Sequence, residues 1–134
     1  MRGAWLLVAA YATVIFILSS MPALGPPIKA ENVDKLAHFL EYGVLGILLV
    51  RAFLRTSPGR SPWFYLALVL VIGAAIAAVD EVYQGTRGRE QSLGDWVADA
   101  IGLLVVSGVY LRVVGRGDSP AAGKDGAKQR SVNP

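Results

Sequence analysis

Four apolar stretches, Ala4 to Met21, Leu36 to Phe53, Trp63 to Val82 and Trp96 to Val114, take up most of this 134-residue chain. Each is close to the ~20 residues that carry a helix across about 30 Å of hydrocarbon. Inside a bilayer every backbone group must bond within its own segment or a closed barrel, and barrel strands would alternate in polarity, which these stretches do not. The chain is also too short for two ordinary domains. The expected fold is therefore all-α: an integral membrane four-helix protein, with residues 1–114 as one transmembrane domain set in the lipid bilayer. Residues 115–134, rich in Gly, Ser, Ala, Pro and charge, read as a disordered tail. Met1 to Leu18 has the outline of a signal peptide, but Pro22, Pro26 and Pro27 make an ordinary helix stop, so an uncleaved first helix is expected.

The distribution of charge orients the chain. Lys and Arg in short loops favour the cytoplasmic side. With the N-terminus inside, Arg2, Arg51, Arg55, Arg60, Arg112, Arg116, Lys124, Lys128 and Arg130 fall inside, against Lys29, Lys35, Arg87 and Arg89 outside. Both termini are thus expected in the cytoplasm, in a multi-pass protein of the inner (cytoplasmic) membrane. Glu31, Asp34, Glu41, Asp80, Glu81, Glu90, Asp95 and Asp99 then gather at the outer face. The chain has no cysteine, which excludes disulfides, thiolate nucleophiles, zinc–thiolate sites and iron–sulfur clusters. No nucleic-acid motif, phosphate-binding glycine loop or internal repeat is present, so no nucleic-acid partner is expected. Arg116-Gly117-Asp118 matches an adhesion tripeptide, but on this topology it lies in the cytoplasm and reads as coincidence.

The chemistry-bearing stretch is 80–102. It sets Asp80, Glu81, Glu90, Asp95 and Asp99 beside Arg87 and Arg89 between two membrane-length apolar runs. Ionisable groups there are costly unless they act together. At 100° per residue Gln84 falls between Asp80 and Glu81, while Ser92, Asp95, Asp99 and Gly102 share a face of the next helix. Each arginine can fold back on a carboxylate or hold an anionic ligand. A plain ion-pair network pinning two helix ends is the competing explanation. Before it, Asn32 or Asp34 is expected to cap the second helix. That helix carries Lys35, His38, Glu41, Tyr42 and Gly46 within one arc of about 140°. His38 is the chain's single histidine, which rules out a two-histidine phosphatase mechanism. General base and one half of a buried ion pair both stay open for it. In the third helix Gly73 and Ala77 should let another helix approach closely. Tyr11, Thr13, Ser19 and Ser20 in the first helix read as packing.

These residues carry a resemblance. Asp34-Lys35-Leu36-Ala37-His38-Phe39-Leu40-Glu41-Tyr42, followed by Glu81, Gln84, Arg89, Ser92 and Asp95, resembles the pattern of the VanZ-like family of small membrane proteins over about residues 30 to 110. Two departures are visible: Asp99, where asparagine is common in the family, and Gly85 to Arg89, where a Phe-x-Pro-Gly-Arg turn is common. The extra carboxylate at Asp99 favours an ion pair or a bound cation. The resemblance implies a cell-envelope setting and a link to antibiotic resistance of the teicoplanin type, without a molecular activity.

The expected site is a polar cup at the outer face made of Lys35, His38, Glu41, Tyr42, Asp80, Glu81, Gln84, Arg89, Ser92, Asp95 and Asp99. It would bind or modify an envelope component such as a lipid-linked envelope precursor or anionic lipid. In a catalytic version His38 is the general base, Glu81 or Asp95 orients it, and Arg89 with Lys35 holds an anionic group. Tyr42, Gln84 and Ser92 would complete the contacts, Ser92 being a weak nucleophile candidate. A small ion- or proton-coupled transporter is a rival, disfavoured because transporters place ionisable groups near the midplane. A purely structural subunit is the other. Asp80, Glu81, Asp95 and Asp99 have oxygen-ligand chemistry for a divalent cation, but acids beside two arginines more often pair internally, so neither a metal nor another cofactor is expected.

Overall fold

The computed structural model describes residues 2–20, 31–86 and 92–117. They form four helices: α1 Arg2–Ser19, α2 Glu31–Thr56, α3 Pro62–Thr86 and α4 Leu93–Gly117. All four are long and apolar enough to cross a membrane. Apolar side chains such as Leu6, Val71, Val79 and Val113 stay exposed around the outside, as a surface meeting hydrocarbon requires. The tail beyond Gly117, the first loop and the Arg87–Arg89 link lie outside the described residues.

Three helices run past their apolar stretches, and the overrun matters. Apolar count measures the part of a helix inside hydrocarbon, whereas the helix itself ends where its backbone groups find caps. Thus Asp34 and Lys35 belong to α2, and Gln84 belongs to α3. Asp34, expected with Asn32 as a cap of α2, lies inside the helix, which is described from Glu31.

The start of α3 has a sequence-coded cap. Ser61 Oγ accepts the Phe64 N–H at 3.2 Å, with Pro62 at the first helical position, where its missing donor costs nothing. Gly59 turns the chain between α2 and α3 at φ 78°, a backbone shape that favours glycine. Tyr65 ties this hairpin by donating its hydroxyl to the Ser57 carbonyl at 2.7 Å and accepting the Arg60 N–H at 3.1 Å.

α4 packs along α2 more extensively than any other pair of helices. Glycine makes this approach: a side chain on Gly102 would collide with the Phe39 backbone, and one on Gly46 with Ser107. Small residues drive such packing where lipid offers no hydrophobic force between helices. On α3, Gly73 and Ala77 are buried, and the partner received at Gly73 is Leu103 of α4. The core around them holds Ile15, Leu45, Leu49, Val69 and Leu103. This antiparallel arrangement brings the end of α1, the start of α2, the end of α3 and the start of α4 to one end of the bundle.

Candidate functional site

That end is polar inside. Helix rise places His38, Asp80 and Asp99 each roughly 7–9 Å in from the nearby end of its span, so three helices present ionisable groups at similar depth. His38 is 5% exposed and Asp99 1% exposed. His38 Nδ1 lies 3.0 Å from Asp99 Oδ1. The carboxylate that meets the histidine ring is therefore Asp99, not Glu81 or Asp95. Asp99 sits one turn below Asp95 on the same face of α4, which is why the pairing falls to it.

Asp95, 7% exposed, lies nearer the surface. Its Oδ1 is 4.0 Å from Lys35 Nζ, an ion pair on the half-exposed rim. A ring nitrogen of His38 and one carboxylate oxygen each from Asp34 and Asp95 lie within 4.8 Å of one another.

Glu81 and Ser92 take structural positions. The Ser92 backbone N–H donates to Glu81 Oε1, while Ser92 Oγ accepts the Asp95 N–H at 3.3 Å. Ser92 is thus the N-cap of α4, and its hydroxyl is occupied by the helix it starts. In a capping box the acid three residues into the helix would reach back to the cap's N–H. Glu81 supplies that acceptor from α3, which leaves the Asp95 carboxylate to face Lys35.

A second polar cluster joins α1 to α3. Asp80 Oδ2 accepts from Ser19 Oγ at 2.9 Å and from Gln84 Nε2 at 2.9 Å, and Gln84 Nε2 also reaches Ser19 Oγ at 3.3 Å. Ser20 Oγ and the Tyr83 hydroxyl are 2.9 Å apart. Ser19 therefore joins the polar interior rather than serving as packing alone. Its signal was one serine at the end of an apolar helix, which gains meaning only once Asp80 is placed opposite. Asp80 Oδ1 and the Tyr42 hydroxyl are buried with no hydrogen-bond partner among the described residues. Tyr42 is fully buried, one turn below His38, and Gln84 is committed to Asp80. Neither lines an open surface. Glu41 is half-buried, with its backbone carbonyl accepting from the Tyr11 hydroxyl at 3.3 Å. Arg89, expected to grip an anion, lies outside the described residues.

At the opposite end, an apolar groove of about 410 Å³ opens between α3 and α4, lined by Trp63, Leu66, Leu104, Gly108 and Arg112 among others. It is remote from the polar groups and has no chemistry of its own.

A helical bundle with lipid-compatible walls and a buried polar cluster at one end defines a small multi-pass membrane protein. The family model described as VanZ/LLP1 matches residues 4–114, and the chain belongs to that family. Comparison with curated proteins and with solved structures finds no match.

Proposed function

We propose that the polar end of the bundle is an extracytoplasmic site that binds or modifies an anionic cell-envelope component, a lipid-linked precursor or an anionic lipid, in the inner membrane. The observation that carries this reading is the convergence of His38, Asp80, Asp95 and Asp99 from three helices in buried positions at one end. Burying charge in a membrane is expensive and is kept mainly where it acts. Lys35, half-exposed on the rim, is the cation facing an arriving anion, with Arg89 as its expected partner. The His38–Asp99 pair has the geometry of an oriented acid–base group, and Asp80 Oδ1 and the Tyr42 hydroxyl, without a hydrogen-bond partner among the described residues, add buried polar atoms at the same end.

The test separates a working site from a lock between helices. A lock that loses one partner leaves a buried charge unpaired, at a cost of ~3–5 kcal/mol and of folded protein. For a working site, His38→Ala and Asp95→Asn should keep near-normal membrane abundance while abolishing an envelope phenotype such as altered glycopeptide susceptibility on overexpression. Arg89→Lys should fail with them, because lysine keeps the charge but not the planar fork. If all three vanish from the membrane, or all three keep full activity, the structural reading replaces this one.

A further inference from the structure

We propose that Asp34, His38 and Asp95 form a site for one divalent transition-metal ion at the mouth of the polar cup. Their donor atoms, a ring nitrogen and two carboxylate oxygens, already lie within 4.8 Å of one another. Metal–ligand bonds of about 2.0–2.2 Å bring paired donors to roughly 3–4 Å, so closure needs only a small side-chain movement. Asp34, exposed in the first turn of α2, is the ligand placed to make it. One imidazole with two carboxylates suits Zn²⁺ or Mn²⁺, and leaves at least one coordination position for water or a ligand.

Three independent features point to a ligand rather than to a mere gathering of acids. First, His38 is 5% exposed, and its Nδ1 is held by the buried Asp99 carboxylate at 3.0 Å. A buried carboxylate on one nitrogen of a histidine is the arrangement that orients a metal-binding ring. Second, Asp95 is 7% exposed, and its cation, Lys35, stands 4.0 Å away, beyond hydrogen-bonding distance. Third, the Glu81 carboxylate occupies the Ser92 N–H, so Asp95 is released from the capping duty its position invites. The donor set differs from the four acids Asp80, Glu81, Asp95 and Asp99: Asp80 and Glu81 are committed elsewhere, and Asp99 acts through the histidine. Lys35 becomes the ion's competitor for Asp95.

The inference goes beyond the envelope-ligand reading and stands without it, because it concerns the ion alone. Untagged full-length protein in lipid nanodiscs, stripped with chelator, is titrated with Zn²⁺ and with Mn²⁺ by calorimetry, and bound metal is counted by mass spectrometry. One ion per chain should bind saturably. Asp95→Asn, which keeps the shape, and His38→Gln should each weaken binding at least tenfold, and Asp80→Asn should not. Lys35→Met should bind more tightly than the natural chain, a gain that misfolding does not produce. Absence of saturable binding, binding unchanged in Asp95→Asn, or weaker binding in Lys35→Met each overturns the site. Full envelope activity in His38→Ala, Asp95→Asn and Arg89→Lys, with saturable metal binding by the natural chain, would instead count against the envelope reading alone.

Discussion

Glu81, near the end of α3, accepts the backbone N–H of Ser92, the N-cap of α4. The bond closes a helix start from outside the helix. Glu81→Ala should leave this N–H without its acceptor and cost about 1–3 kcal/mol, whereas Glu81→Gln, which keeps a carbonyl oxygen, should cost less. Ser92→Ala removes the cap oxygen instead and should cost about 1 kcal/mol. Thermal unfolding in nanodiscs measures all three. Equal stability of Glu81→Ala and the natural chain would show that the bond carries no weight.

How far the sequence reveals this architecture depends on the range of the interaction. The four spans are legible because an apolar run is a local, one-dimensional signal. Residues sharing a helix face are nearly as legible, so Asp95 and Asp99 fall on one side of α4 from spacing alone. Which of the two meets His38 is not, because that depends on the depth at which α2 and α4 cross, set by Gly102 against Phe39 and Gly46 against Ser107. The same limit hides Ser19, whose acceptor Asp80 is 61 residues away. Ser92 is readable as a cap from the acid three positions on, but the intervention of Glu81 is not. Helix ends are misjudged at α2 because polar residues at a membrane surface look like loop.

The His38–Asp99 pair should show strong coupling. Removing either partner leaves the other without its hydrogen bond, so His38→Ala and Asp99→Ala should each cost about 1–3 kcal/mol, too little to deplete the membrane of folded protein. The double variant should cost less than the sum, with an interaction energy of about 0.5–3 kcal/mol. Asp99→Asn keeps an acceptor oxygen for the ring and should be milder than Asp99→Ala. A strictly additive cycle by reversible unfolding would contradict the contact seen at 3.0 Å.

The α2–α4 seam makes opposite predictions at two positions. Gly102→Ala places a methyl group against the Phe39 backbone, which cannot rotate away, so overpacking should cost about 1–3 kcal/mol. Ser107→Ala removes a buried hydroxyl that has no partner among the described residues. That change should be neutral or stabilising, since no hydrogen bond is lost and a desolvated polar group goes. Unfolding midpoints for the two variants should therefore move in different directions, or one should not move.

Orientation in the membrane decides what the polar end can meet. Basic residues Arg51, Arg55 and Arg60 flank the α2–α3 hairpin, and the charge rule places such a loop in the cytoplasm. On that orientation the polar end, at the far ends of the same two helices, would open outward. Because the chain contains no cysteine, single cysteines at Ser57 and Gly88 report the two sides without background. An impermeant thiol reagent applied to intact cells should label position 88 and spare position 57, and permeabilised cells should show both. A helix inserted the other way round would give the reverse pattern. Labelling at 57 but not at 88 would put Lys35, His38 and Asp95 on the cytoplasmic side, where an extracytoplasmic precursor does not reach them.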